Sequence, residues 1–128
     1  MMKIFIVGPI KSRTRWGVEQ NIRRVEERGF SVMSIGLKNP LSDGKPSCMP
    51  VIPHSMYRFF TDHIDDEHLF LFALELMKDC DATLLNHGWI ETDLLNRSLS
   101  IFQGKLLYSI PETNDWIQEF VKNEKQKG

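Results

Sequence analysis

Short apolar runs alternating with amphipathic stretches predict an α/β protein, built on an open, mostly parallel sheet of four or five strands with helices on both faces. Three observations carry this reading. Residues 3–8, KIFIVG, form an almost unbroken apolar run closed by Gly8-Pro9, the pattern of a strand buried on both faces. From about Trp16 to Glu27, Val18, Ile22 and Val25 recur at helical spacing among charged residues. Ala82 to Leu85 and Lys105 to Ser109 are two further short runs of strand character, separated by a loop and a helical stretch.

Taken in order, the first strand ends at the Gly8-Pro9 turn and the first helix follows. Gly29 lies where that helix would stop, and Ser31 to Ile35 reads as a β-type run completing one crossover unit of strand, helix and strand. From Gly36 to His54, four prolines and two glycines interrupt any period, so a long surface loop or lid is expected. A helix from about Asp65 to Asp79 carries Leu69, Phe70, Leu71, Phe72, Leu74, Leu76 and Met77. It is apolar around most of its circumference and so calls for a subunit interface as well as the sheet to cover it. Thr92 can cap a helix to about Gln103, with Asp93 in its first turn and Gly104 at its end. Asn114 can cap a last helix in which Trp116, Ile117, Phe120 and Val121 share a face, before the polar tail 123–128 frays.

A chain of 128 residues falls in the single-domain range and should bury roughly two-thirds of its extended surface without staples. The formal net charge of −1 supplies no field for a polyanion, so a nucleic-acid polymer is not an expected partner. Cys48 and Cys80 stand too far apart for a CxxC motif and fit a reducing, cytoplasmic setting. The apolar opening is too short for a membrane span and lacks the small-residue cleavage pattern of a signal peptide, so no membrane association is expected.

In open α/β sheets, ligands bind outside the carboxyl ends of the strands, where the crossover direction switches. That rule singles out the loops Gly8 to Arg15 and Asn86 to Asp93. In the first, with Gly8, Pro9 and Ile10 as expected ligand contacts, the glycine at the strand end lets backbone amides approach a guest, while Lys11, Arg13 and Arg15 add positive charge near a helix start. The second, NHGWIETD, gathers an imidazole, a glycine, an indole and two carboxylates. Trp89 can stack on a base beside Gly88, His87 can hydrogen-bond it, and Glu91 or Asp93 can serve as acid, base or nucleophile. Alternatively, Trp89 packs on an apolar helix and the acids only cap. Tyr57 is a further stacking candidate. The run DHIDDEH at 62–68 has metal-ligand types but not their spacing: His63 and His68 lie about 140° apart around a helix. Neither a metal nor a cofactor is expected.

Three blocks in this order, MKIFIVGPI, LELMKDCDATLLNHGW and QGKLLYS, resemble the nucleoside 2-deoxyribosyltransferase-like superfamily, in particular its short members. The resemblance runs from residue 2 to about residue 109. It implies a flavodoxin-like or Rossmann-like sheet, homodimers or higher oligomers with sites near subunit interfaces, and chemistry at an N-glycosidic bond. In active relatives a glutamate on the helix after the GW block attacks the anomeric carbon, and an aspartate in the preceding helix helps hold the sugar. Counting from Gly104 and Asp81 puts those positions at or near Asn96 and at Ala73. An amide cannot form the glycosyl ester, which points to a degenerate site unless Glu91 or Asp93 takes the role.

Three functions follow, in descending order of expectation. The first is a nucleoside- or nucleotide-binding protein that has lost the chemistry and senses or sequesters its ligand, with Asn96 among the contacts. The second is an active N-glycosidase or deoxyribosyltransferase using Glu91 or Asp93. The third is a module that binds a protein partner through the apolar helix at 69–77.

Overall fold

The computed structural model describes residues 1–7, 14–53, 66–85 and 102–127. Within them the elements run β1 (Met2–Val7), α1 (Arg15–Lys38), β2 (Cys48–Val51), α2 (Asp66–Lys78), β3 (Ala82–Leu85), β4 (Lys105–Leu107) and α3 (Ile110–Lys127). The four strands form one all-parallel sheet in the order β2-β1-β3-β4. This is the predicted α/β class, an open sheet of flavodoxin-like or Rossmann-like type with helices on both faces. No helix among the described residues is long and apolar enough to cross a membrane.

Side-chain alternation along the strands builds the two cores. Ile4 and Ile6 of β1 join Ala82 and Leu84 of β3 and Leu107 of β4 under Val25, Val32 and Ile35 of α1 and Ile117 and Val121 of α3. On the opposite face Phe5, Val7 and Leu85 pack with Met77 and Cys80, and Ala73 and Leu74 of α2 lie against them. Both central strands are thus covered on two sides, as their continuous apolar sequence requires.

Two expectations are corrected. The first helix does not stop at Gly29, and Ser31 to Ile35 is helix, not strand: α1 continues to Lys38. Its buried positions, Ile22, Val25, Gly29, Val32, Ile35 and Gly36, keep three- and four-residue spacing straight through the glycine. The glycines are there for close approach. A β-carbon on Gly36 would collide with the backbone of Cys48, and one on Gly29 with the side chain of Ile52. α1 therefore rests on the backbone of β2 at Gly36 and makes room for the Ile52 side chain at Gly29.

The second correction concerns β2, which occupies part of the stretch expected to be a surface loop. Cys48–Val51 pairs in parallel with Met2–Phe5, and Pro50 sits opposite Ile4. A proline donates no hydrogen bond, but β2 is an edge strand of the sheet and tolerates it.

The remaining helices shift by a few residues. α2 is the apolar helix expected from about Asp65. α3 starts four residues before Asn114, at Ile110. Ser109 caps it: the Glu112 amide donates to Ser109 Oγ at 3.2 Å, and the Glu112 carboxylate accepts from the Tyr108 amide at 3.3 Å. This is a variant of the S-x-x-E box, readable in the sequence as Ser109-Ile110-Pro111-Glu112. The polar tail from Asn123 continues α3 to Lys127 as exposed helix, with Glu124 and Lys127 4.0 Å apart and no helix breaker before Gly128. The helix expected over 92–103 lies outside the described residues.

Candidate functional site

β1 is followed by β2 on one side of it, whereas β3 and β4 lie on the other. The crossover direction therefore reverses between β1 and β3, which makes this pair the switch point of the sheet. Val7 and Leu85, the last residues of β1 and β3, are direct partners in the ladder. Neighbouring strands lie about 4.8 Å apart, so the chain leaves the sheet toward residue 8 and toward residue 86 from adjacent points on one edge. The floor between them is apolar, with both Val7 and Leu85 buried.

The predicted site residues Gly8, Pro9, Ile10, Arg13, Tyr57, His87, Gly88, Trp89, Glu91, Asp93 and Asn96 lie outside the described residues, as do Lys11 and His63. What the structure supplies is the frame from which they depart. Of the remaining positions, Ala73 packs against the α2-side core, which accounts for an alanine there by packing alone. His68 is an exposed residue of α2. Among the described residues, no group of three or more His, Cys, Asp or Glu side chains could hold a metal ion.

Several described groups border the same edge. Thr14 caps α1, its Oγ1 accepting from the Gly17 amide at 3.0 Å, and the first turn contains Arg15 and no acid. The positive end of the helix dipole and a guanidinium thus coincide just beyond β1, an arrangement that attracts anions. Two large aromatic side chains also stand in solvent along this edge. Trp16, in the first turn of α1, is 73% exposed, and Tyr108, next after β4, is 55% exposed. Neither was singled out as a site residue by the sequence, because an aromatic at a helix start or strand end is indistinguishable from a packing residue until its exposure is known.

Below the switch point, Thr83 of β3 is fully buried and its hydroxyl has no hydrogen-bond partner among the described residues. Strand alternation turns it to the α2 side of the sheet, the side of Phe5 and Leu85. The two cysteines offer no reactive thiol. Burial pushes Cys48 up to about 11, and burial, reinforced by Asp81 and Asp79 against Lys3, pushes Cys80 up to about 11. Both stay protonated at neutral pH, so neither is a nucleophile there.

Compared with known proteins, the chain matches no family model, no curated protein and no solved structure.

Proposed function

We propose that this protein binds a nucleoside or nucleotide in a crevice at the β1/β3 switch point without turning it over. The observation that carries the reading is the pairing of Val7 with Leu85, from which the two chemically loaded segments depart side by side. Residues 8–13 and the start of α1 take the anionic or ribose end of the ligand, where Arg13, Arg15 and the helix dipole add positive potential. The Asn86 to Asp93 segment takes the base, with Trp89 stacking and His87 hydrogen-bonding. The resemblance to the deoxyribosyltransferase-like superfamily puts Asn96 at or near the nucleophile position, and an amide does not form a glycosyl ester.

The test is a panel of nucleosides and 5'-monophosphates followed by thermal unfolding and by chromatography for free base. Stabilisation by one member of the panel, with no base released, is expected; a ligand at ~100 times its dissociation constant adds about 2.7 kcal/mol. Base release that Glu91→Ala or Asp93→Ala abolishes would replace this reading with an active N-glycosidase. Indifference to every ligand would end it.

A further inference from the structure

α1 carries an apolar surface that the sheet does not use. At about 100° per residue, Ile22, Gly29 and Gly36 lie within roughly 40° of one another around the helix, and the two glycines of this line bear on β2 and on Ile52 just after it. Val25, Val32 and Ile35 turn from it to one side, into the core shared with β1 and α3. Phe30, Met33 and Leu37 lie roughly 40–100° to the other side, beyond the β2 edge. They are 66%, 39% and 61% exposed, at the i, i+3, i+7 spacing of a single stripe. Strand addition is not what this edge offers, because Pro50 removes a donor in the middle of β2.

The charges beside the stripe select its partner. Glu27 and Lys38, both exposed, lie together on its solvent side. In an antiparallel pairing of two α1 helices about a two-fold axis at Met33, Phe30 of each copy comes within one residue of Leu37 of the other. Within one residue of the same register, Glu27 of each copy meets Lys38 of the other. Like flanks face each other in an antiparallel helix pair, so these charges fall on the same side. A parallel pairing would instead place the two copies' Glu27 and Lys38 on opposite sides of the seam, where these charges do not meet.

We propose that the Phe30, Met33 and Leu37 flank of α1 is a docking surface for a second copy of this chain, packed antiparallel with Glu27 and Lys38 as reciprocal ion pairs. This is independent of the ligand reading and of the apolar face of α2.

Sedimentation equilibrium extended to several hundred micromolar, roughly the reach needed for an interface built on one helix flank, should show a monomer–dimer equilibrium. Lys38→Glu should shift it to monomer by setting like charges together, and the double variant Glu27→Lys/Lys38→Glu should restore the dimer. Phe30→Asp should abolish association with the circular dichroism and melting profile retained. Met33→Cys should crosslink as a dimer under mild oxidant against a wild-type background of none, since both native thiols are buried. A wild-type chain that stays monomeric throughout would overturn the proposal. So would a dimer that survives Phe30→Asp, one that dissociates on Leu76→Asp in α2 instead, or a double variant that fails to recover.

Discussion

At the amino ends of the strands, Asp81 joins three of them: its carboxylate accepts from the Lys3 amide at 2.8 Å, its amide donates to the Lys3 carbonyl at 2.8 Å, and its carbonyl accepts from the Lys105 amide at 3.0 Å. The Met2 amide donates to the Ser47 carbonyl at 2.8 Å, and the Ser47 amide donates to Gly36 at 3.2 Å, tying β1, α1 and the approach to β2. At the carboxyl ends, Val7 and Leu85 finish side by side, and the described residues of β1 and β3 end there. One edge is stitched for stability, and the other carries an Arg15-bearing helix start, Trp16 and Tyr108. The contrast separates residues whose loss should unfold the protein from residues whose loss should spare the fold and cost a ligand.

The sharpest way to break this division is Gly36→Val. The added side chain would run into the Cys48 backbone, and lifting α1 off β2 should lower stability by roughly 3 kcal/mol or more, read by urea unfolding. Asp81→Ala should cost about 1 kcal/mol by removing a hydrogen bond to a charged acceptor, water taking over at the exposed Lys3 amide, with ligand affinity unchanged among molecules that remain folded. Trp89→Ala is the counterpart at the other edge: a melting temperature close to wild type but affinity for the base lowered by about 1–3 kcal/mol, measured by calorimetry. If Trp89→Ala unfolds the protein, the indole belongs to the core and the division fails at that residue.

Ser109→Ala should remove about 1 kcal/mol through the α3 cap, showing that the carboxyl edge has structural positions of its own. The buried thiols affect the pH dependence of stability only at alkaline pH. Their folded values near 11 exceed the ordinary 9.0, so the unfolded chain loses its protons first. Their contribution to stability is complete below pH 9 and disappears between pH 9 and about 11, a loss that Cys48→Ser should reduce in denaturant melts along that range.

The α/β class, β1, α2, β3 and β4 were legible because each is a local apolar pattern of adequate contrast. The switch point was legible in kind but not in place, since with Ser31 to Ile35 taken as a strand the first crossover ended in the wrong element. The run Ile22, Val25, Gly29, Val32 already had helical spacing and could have overruled the glycine. The S-x-x-E box at Ser109 is likewise written in the sequence and outcompetes Asn114 as the cap, because Glu112 completes it. Nothing in CMPV, by contrast, distinguishes an edge strand from a loop. Of the candidate site, the sequence identified the two chemically loaded segments, while the positions of Trp16 and Tyr108 on the same edge became evident only from exposure.

Hydrophobic periodicity alone determined which segments are buried, because burial of a strand or a helix face is written in the spacing of its own residues. Tertiary structure decided what the exceptions mean. Gly36 interrupts no helix because a strand backbone lies against it and Gly29 because the Ile52 side chain does, and Pro50 is admitted to a strand because β2 is the edge of the sheet among the described residues. Both facts depend on what is adjacent in space, and short-range sequence patterns do not encode that.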